Sequence, residues 1–221
     1  EFTEETALMT AEANEIGVFL FEDISYGTWL IRELKPAPAF VLNENVYPVT
    51  VSENEEVIKI EIENRFITGS VQTTKVDAEY PDNKLTGAVF EVYVDADGNQ
   101  EFDPDIDRMV GEMNEIEDGV YQMDGLRYNG YFLYEKSSPE GFLKDENYHY
   151  FEIRNDGETV IVENEAGVGF VNQPITGELE ITKKDISDGK LLPGVGFRIK
   201  NEQGEIVAGG YTDENGIAKF T

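Results

Sequence analysis

The sequence predicts an all-β protein built from tandem modules, each an antiparallel β-sandwich or partly open barrel, with one module complete and two partial. Short apolar runs of strand length, such as 57–62 and 89–93, lie between Gly, Asn, Asp and Pro residues. No segment keeps a helical period over three turns, and the nearest candidate for a short helix is the Ala-containing stretch 4–13. An internal repeat supports the modular organisation.

The chain repeats at an offset of about 100 to 110 residues, the size of one small sandwich domain. Three polar residues at strand positions recur in this repeat, as the pairs Glu33 and Glu135, Asn64 and Asn172, and Lys75 and Lys183. The sequence therefore divides into a leading segment (1–68), a complete middle module (69–175) and a trailing segment (176–221). The leading segment corresponds to the C-terminal half of a module, and the trailing segment to the N-terminal half of the next.

Charge and composition exclude several classes of protein. The 221 residues include 46 acidic and 17 basic side chains, for a formal net charge of −29. A nucleic-acid binder needs clustered Lys and Arg, and an anionic membrane surface attracts basic segments, so neither partner is expected. No run approaches the roughly 20 apolar residues of a membrane span. The 40% hydrophobic content predicts packed cores rather than a disordered acidic tail.

The chain has no cysteine and a single histidine. Disulfides are the usual covalent ties of exported domains, so the chain is either intracellular or exported and stabilised in another way. One histidine leaves almost no basis for a nucleophile–histidine dyad or a histidine-cluster zinc site. His149 lies between Tyr148 and Tyr150, and strand alternation predicts that it is a surface residue on the opposite face.

Four motifs occur in a fixed order: Thr-Lys-x-Asp at 74–77, Leu-x-Gly-Ala-x-Phe at 85–90, Tyr-x-Leu-x-Glu-x-x-x-Pro-x-Gly-Phe at 131–142, and Val-Asn at 171–172. Together they resemble the collagen-adhesin B-type, or SpaA-like pilin, domains of Gram-positive surface proteins. The resemblance covers the middle module end to end and both flanking segments in part. It implies an Ig-like or prealbumin-like sandwich in each module.

Domains of this family typically form an intramolecular isopeptide bond between a Lys of the first strand and an Asn or Asp of the last strand. An acidic residue on a central strand assists the reaction. The resemblance therefore implies a bond between Lys75 and Asn172 in the middle module, with Glu135 as the assisting acid.

The two half-modules retain complementary parts of this site. The leading segment has Glu33 and Asn64 without a lysine, and the trailing segment has Lys183 without the acid or the amide. No bond is expected within either half. Open sheet edges invite pairing between chains, so a split-domain bond between Lys183 of one chain and Asn64 of another is a further prediction.

Burial explains how such residue types can react. An amine attacks a carboxamide only when it is neutral, and an apolar environment disfavours the ammonium form. Burial likewise favours a protonated Glu135, which can polarise the amide and shuttle protons as ammonia leaves. Phe90, Phe132 and Phe170 are predicted to form the apolar wall. The alternative is that the three polar residues are ordinary solvated strand residues.

The implied function is structural. The chain is expected to be a stalk or spacer repeat of a cell-wall-anchored adhesin or pilus-like protein, secreted to the surface of a Gram-positive bacterium. The self-crosslinking is single-turnover chemistry, so the protein is not expected to be an enzyme, and its expected partners are neighbouring repeats. Two alternatives stay open: an adhesin module that binds a host protein or glycan, and an accessory domain of a carbohydrate-active enzyme.

An acidic loop is a candidate metal site, and no other cofactor is expected. Oxygen-bearing side chains alternate around Gly98, a pattern that suits a hard cation such as Ca²⁺. The predicted ligands are Asp95, Asp97, Asn99, Glu101 and Asp103. The alternative is a solvated acidic hairpin loop between Tyr93 and Met109, since no helix is predicted on either side.

Overall fold

The structure, a computed structural model, describes residues 3, 5–164 and 166–220. Within them it contains fifteen β-strands and no helix, which confirms the all-β prediction. A short helix does not form in the described part of 4–13, because Thr3 and Thr6 close a single turn through their side chains instead. The strands, in chain order, are β1 (Gly27–Arg32), β2 (Val46–Val51), β3 (Thr68–Asp77), β4 (Val89–Val94), β5 (Arg108–Glu112), β6 (Asn114–Glu117), β7 (Val120–Arg127), β8 (Asn129–Ser137), β9 (Tyr148–Ile153), β10 (Thr159–Ile161), β11 (Phe170–Asn172), β12 (Leu179–Thr182), β13 (Gly196–Lys200), β14 (Ile206–Tyr211) and β15 (Ile217–Phe220).

The chain divides into two compact units. The first comprises Glu1–Glu140 with Lys144–Asn172, and the second comprises Gly141–Leu143 with Gln173–Thr221. The first unit thus contains the leading segment and most of the middle module, and the second contains the trailing segment. The three module boundaries drawn from the sequence stay a prediction.

In the first unit, the leading segment forms a two-stranded antiparallel sheet from β1 and β2, with Trp29 opposite Val49. Phe40 and Phe66 stack with their ring centroids 4.4 Å apart. A sheet of two strands covers little apolar surface. Many large apolar side chains of the segment are accordingly exposed, among them Leu8, Ile16, Val18, Phe19, Leu20, Leu30 and Val57.

Two sheets form the middle module. One contains β10, β3, β7 and β6 in that order, with β11 also paired to β3, and the other contains β5, β4, β8 and β9. Strands β10 and β11 run parallel to β3, a departure from the otherwise antiparallel pairing. Parallel pairing requires a long connection, which the intervening strands of both sheets supply.

The core of the middle module lies between its two sheets. Strand alternation places Val71, Thr73 and Lys75 on the inner face of β3, where all three are fully buried. The apolar side chains of this core come from both sheets: Val71, Ala88, Phe90, Val92, Met113, Tyr121, Leu126, Tyr131, Leu133, Phe151, Ile153, Val162 and Phe170. A lysine on the inner face is therefore surrounded by hydrocarbon.

In the second unit, β12 pairs with β15 and β13 pairs with β14, both antiparallel. Ala218 and Thr212 are buried, whereas Leu179, Ile206 and Val207 are exposed. Across the described residues, no helix has the length and apolar character needed to cross a bilayer.

Candidate functional site

Three polar side chains from three strands meet inside the core of the middle module. Nζ of Lys75 lies 3.2 Å from Oε1 of Glu135, and Nδ2 of Asn172 donates a hydrogen bond of 2.8 Å to the same oxygen. Lys75 and Glu135 are 0% exposed and Asn172 is 2% exposed. Their arrangement contradicts the alternative that they are solvated surface residues.

Strand register explains why these side chains meet. In the parallel pairing of β3 with β11, Phe170 lies opposite Lys75 and Asn172 lies opposite Asp77. Since alternate residues share a face, Asn172 is a diagonal neighbour of Lys75 on the inner side of the sheet. On the facing sheet, Glu135 of β8 pairs with Phe90 of β4 and projects into the same layer.

Aromatic rings form the wall around the amine. Nζ of Lys75 lies 4.5 Å from the ring centroid of Phe170 and 6.0 Å from that of Phe90, and the two rings meet edge to face at 5.0 Å. The prediction that Phe132 belongs to this wall is wrong. Phe132 is buried but packs against Phe102 on the outer face of its sheet, because it lies three residues from Glu135 and so points the other way.

Burial changes the acid–base behaviour of Lys75. Loss of hydration lowers the pKa of its amine from 10.5 to about 8, although the nearby charges of Glu135 and Asp145 act in the opposite direction. At pH 7 about one amine in ten is then neutral, compared with about one in three thousand for a free lysine. The core therefore supplies a nucleophile at neutral pH.

Two polar atoms of the site are poorly satisfied. Oδ1 of Asn172 accepts no hydrogen bond from the described residues, and Nζ of Lys75 makes none of good geometry despite its ion pair with Glu135. A buried polar group without a partner costs about 1–3 kcal/mol. The folded, unlinked chain therefore holds an amine and a carbonyl in an environment that suits neither.

Support for Glu135 comes from a loop that sequence reasoning missed. The backbone N–H of Asp145 donates to Oε2 of Glu135 at 2.8 Å, and Nε2 of His149 donates to Oδ2 of Asp145 at 2.8 Å. His149 packs against Phe170 while its side chain stays 35% exposed, so its assignment as a surface residue is correct only in part. The repeat contained a signal, because Asn43 and Tyr47 occupy the equivalent positions beside Glu33 and are also hydrogen-bonded.

The leading segment has the acid and the amide of an equivalent site. Nδ2 of Asn64 donates to Oε2 of Glu33 at 2.7 Å and to the carbonyl of Val41 at 2.9 Å. The backbone N–H of Asn43 donates to the same Glu33 oxygen at 2.7 Å. Glu33 is half-buried, because the facing sheet of a complete module does not cover it.

The trailing segment has the lysine of such a site. The N–H of Lys183 donates to the carbonyl of Gly216 at 2.8 Å, and its carbonyl accepts from Leu192 at 3.0 Å. Lys75 makes the equivalent bonds at 2.7 and 2.9 Å in the middle module. Lys183 itself is exposed, so the backbone geometry is present without the surrounding core.

The acidic loop joins β4 to β5 without a helix on either side. Carboxylate oxygens of Asp95, Asp97 and Asp107 lie within 4.8 Å of one another. Asp95 and Asp107 are buried and accept hydrogen bonds from backbone amides of the loop. Asp107 was not among the predicted ligands, and the predicted acids Glu101 and Asp103 lie outside this group of carboxylates. The calcium site stays a prediction.

Several solved structures are similar to this chain, to different degrees. The Bacillus anthracis TIE protein matches at 29% identity with a TM-score of 0.80, over 99% of this chain and 38% of its own length. The chain thus spans about two fifths of that protein. A streptococcal ancillary pilin matches at 17% identity (TM-score 0.36, 89% of this chain, 63% of the pilin), and the Lactobacillus rhamnosus GG shaft pilin SpaA at 15% (TM-score 0.37, 69% and 81%). No curated protein sequence matches the chain significantly.

The family model described as the SpaA prealbumin-like fold domain matches the chain three times, at residues 3–65, 69–166 and 177–221. The matches include the middle module and both flanking segments, and together they span most of the chain. They confirm the resemblance inferred from the four motifs. The chain belongs to the SpaA prealbumin-like fold domain family.

Proposed function

We propose that the chain is a structural stalk repeat of a bacterial surface protein, and that its middle module is tied by an isopeptide bond between Lys75 and Asn172. The supporting observation is that one carboxylate oxygen lies 3.2 Å from the amine nitrogen and 2.8 Å from the carboxamide nitrogen in an apolar core. A buried ion pair is costly to desolvate, and a reaction that removes the charged amine relieves that cost. Family membership supports the structural role.

The proposed reaction joins Nζ of Lys75 to the side-chain carbonyl carbon of Asn172. The new C–N bond replaces the bond to Nδ2, which leaves as ammonia. Oε1 of Glu135 lies 3.2 Å from the attacking nitrogen and 2.8 Å from the leaving nitrogen, so it can take a proton from the first and deliver it to the second.

The proposed location is the surface or cell wall of a Gram-positive bacterium, with neighbouring repeats as partners. The acidic charge suits an exported, solvated body, and the chain has no cysteine with which to tie its strands. An isopeptide bond between the first and last strands of a module does the work of a disulfide. This chemistry acts on the chain itself and turns over once, so the proposed role is structural and not enzymatic.

The first test is the intact mass of the purified chain beside two variants. Wild type should be lighter than its sequence mass by one ammonia, and Glu135→Ala should have the full sequence mass because the proton shuttle is gone. Glu33→Ala is the matched control, since it removes the equivalent acid of the leading segment, and its monomer should have the mass of the wild-type monomer. A wild-type chain at full sequence mass would falsify the isopeptide proposal.

Self-association is a second candidate function, which the half-modules favour. The leading segment already pairs Glu33 with Asn64, and the trailing segment gives Lys183 the backbone bonds that Lys75 has. Both segments also expose apolar surface that a complete module buries. We infer that the trailing segment of one copy completes the leading segment of another through a Lys183–Asn64 bond.

Denaturing gel electrophoresis of the concentrated chain tests this second proposal. Covalent dimers and longer species should resist boiling in detergent, and Lys183→Ala should abolish them while the middle module still loses its own ammonia. A chain that migrates only as a monomer at every concentration would show that the half-modules do not crosslink.

A further inference from the structure

Glu135 is held from two sides. Its Oε1 contacts the two nitrogens of the proposed reaction, whereas its Oε2 accepts the backbone N–H of Asp145 at 2.8 Å. Asp145 lies in the loop between β8 and β9, four residues before His149. The loop therefore decides which way the carboxyl group faces, because a carboxylate anchored at one oxygen has only one direction left for the other.

The side chain of Asp145 holds this loop in shape. It accepts hydrogen bonds from the backbone N–H of Asn147 at 2.9 Å, from Nδ2 of Asn147 at 2.6 Å and from Nε2 of His149 at 2.8 Å. Burial alone would raise the pKa of Asp145, but the hydrogen bonds from Asn147 and His149 outweigh it and hold the pKa below its ordinary value. Asp145 is therefore a carboxylate that accepts hydrogen bonds within the fold and so stabilises the shape of the loop.

His149 connects this loop to the wall of the site. Its ring meets the ring of Phe170 edge to face, with centroids 4.7 Å apart, and the Phe170 ring lies 4.5 Å from Nζ of Lys75. One side chain thus contacts both the loop that orients Glu135 and the ring that covers the amine. A strand residue whose side chain pointed into solvent would contact neither the loop nor the Phe170 ring.

We propose that Asp145 and His149 are positioning residues for isopeptide formation. The proposal rests on the isopeptide function proposed above. The Asp145–His149 bridge fixes the loop, the loop amide directs Glu135, and Glu135 moves the proton between the two nitrogens. Small displacements of a reacting group are costly, so loss of the bridge slows the reaction without removing any reacting atom.

The leading segment contains the same arrangement in uncharged form. The backbone N–H of Asn43 donates to Oε2 of Glu33 at 2.7 Å, Nδ2 of Asn43 donates to the hydroxyl of Tyr47 at 2.9 Å, and Oδ1 of Asn43 accepts the N–H of Asn45 at 3.1 Å. The bridge geometry therefore occurs twice, once with an amide and a phenol and once with a carboxylate and an imidazole. The orienting role therefore belongs to the geometry and does not require a charged pair.

Few titratable groups face His149 among the described residues. Asp145 faces it from the loop, and Glu152, Glu163 and Tyr150 line the same shallow surface depression. On β8 it lies opposite Leu133, and Glu135 lies two residues further along on the same face. On β11 it packs against Phe170. Asp145 is the acid that is hydrogen-bonded to the imidazole.

The charge of Asp145 affects the pKa of the Lys75 amine. It raises the pKa of Lys75, against the larger lowering that burial causes. Asp145→Asn removes this charge, so the amine is neutral more often at a given pH.

The test follows bond formation in the full chain refolded from denaturant, with the loss of ammonia read by mass at timed quenches between pH 5.5 and 8.5. His149→Phe keeps a ring against Phe170 but removes the bridge, and it should slow the reaction about tenfold. The double variant Asp145→Asn/His149→Tyr installs the uncharged bridge of the leading segment. It should return the rate to that of wild type or above.

Each outcome is decisive. A wild-type chain that never loses ammonia ends the proposed function and this inference together. A wild-type chain that reacts, beside a His149→Phe variant with the same rate and pH profile, overturns the inference alone. A double variant as slow as His149→Phe also overturns it. Adding His149→Phe to the unreactive Glu135→Ala chain gives the folding control, since a large fall in Tm there would make His149 a purely structural residue.

Discussion

At the scale of single residues, the central feature is an amine in a hydrocarbon core. Lys75 is fully buried because β3 alternates and puts it on the same face as Val71 and Thr73. Burial lowers the pKa of its amine to about 8, which makes the amine a nucleophile and also makes the unlinked fold less stable. The reactivity of the amine and the lower stability of the unlinked fold both come from burial of Lys75, and the proposed bond would remove both.

A pH titration of stability measures that instability. In Asn172→Ala, which keeps the amine but has no amide to react with, the free energy of unfolding should rise by about 3 kcal/mol between pH 8 and 10.5. Below pH 8 the amine is protonated in both the folded and the unfolded chain, and the folded chain bears the full cost of burying the charge. Between pH 8 and 10.5 only the unfolded chain keeps this proton, so the free energy of unfolding rises with pH. Above pH 10.5 the amine is neutral in both states and the free energy of unfolding rises no further.

The control for this titration is Lys75→Met/Asn172→Ala, which has the same cavity but no amine. Urea unfolding of both variants at matched pH values gives their free energies of unfolding. The difference between the two isolates Lys75, because the contributions of the tyrosines and the remaining lysines cancel. An equal pH dependence in the two variants would contradict the lowered pKa of Lys75.

At the scale of secondary-structure elements, the site depends on the short strand β11 lying against β3. The three paired residues Phe170, Val171 and Asn172 bring both the aromatic wall and the amide to the lysine. Gly169 precedes this strand with φ +102°, and a Cβ there would come within 2.5 Å of the carbonyl oxygen of Thr74. Only glycine permits this close approach.

Gly169→Ala should therefore push β11 away from β3. We expect a loss of about 2 kcal/mol or more in the free energy of unfolding, and slower loss of ammonia, because strain and a backbone clash act together. Thermal unfolding and timed mass measurements report the two effects. Gly177→Ala is the matched control, since a Cβ at Gly177 has no neighbour within 4 Å. Equal effects from both substitutions would contradict the argument.

The loop between β4 and β5 is the second element with a testable chemistry. Asp95, Asp97 and Asp107 bring three carboxylates together, and Ca²⁺ prefers such oxygens. We expect millimolar Ca²⁺ to raise the Tm of the chain and a chelator to reverse the change. Asp97→Asn, which alters an exposed member of the group, should weaken the effect. If the Tm does not change with Ca²⁺, the calcium prediction is wrong, and the loop is a hairpin whose carboxylates accept hydrogen bonds from its own backbone amides.

At the scale of the whole molecule, the proposed bond changes the path of mechanical force. Strands β3 and β11 are parallel neighbours at the two ends of the middle module, so pulling on the chain shears one along the other. A covalent link from Lys75 to Asn172 passes the force directly between these strands. Residues 76–171 then carry no load, and the module cannot extend.

Single-molecule pulling checks this consequence. The middle module of wild type should show no unfolding event, whereas Glu135→Ala should release residues 76–171 and lengthen by roughly 300 Å. Glu33→Ala serves again as the control and should behave as wild type in this module. An extension of that size in the wild-type chain would mean that its strands are not tied.

Local patterns in the sequence were enough to determine the all-β class and the family, and they predicted the repeat and the grouping of Lys75, Glu135 and Asn172. Strand periodicity, turn residues and motif order are properties of neighbouring residues, and a repeated pattern strengthens each of them. The same periodicity could have excluded Phe132 from the wall of the site, because its distance of three residues from Glu135 places it on the opposite face.

Only the tertiary structure decided how the strands pair and what surrounds the site. The parallel pairing of β11 with β3, the bridge from His149 to Asp145, and the grouping of Asp107 with two earlier acids all join residues that are distant along the chain or lie in loops. Such contacts depend on which strands become neighbours when the two sheets pack. That choice is made by burial of the whole core, which no local pattern contains.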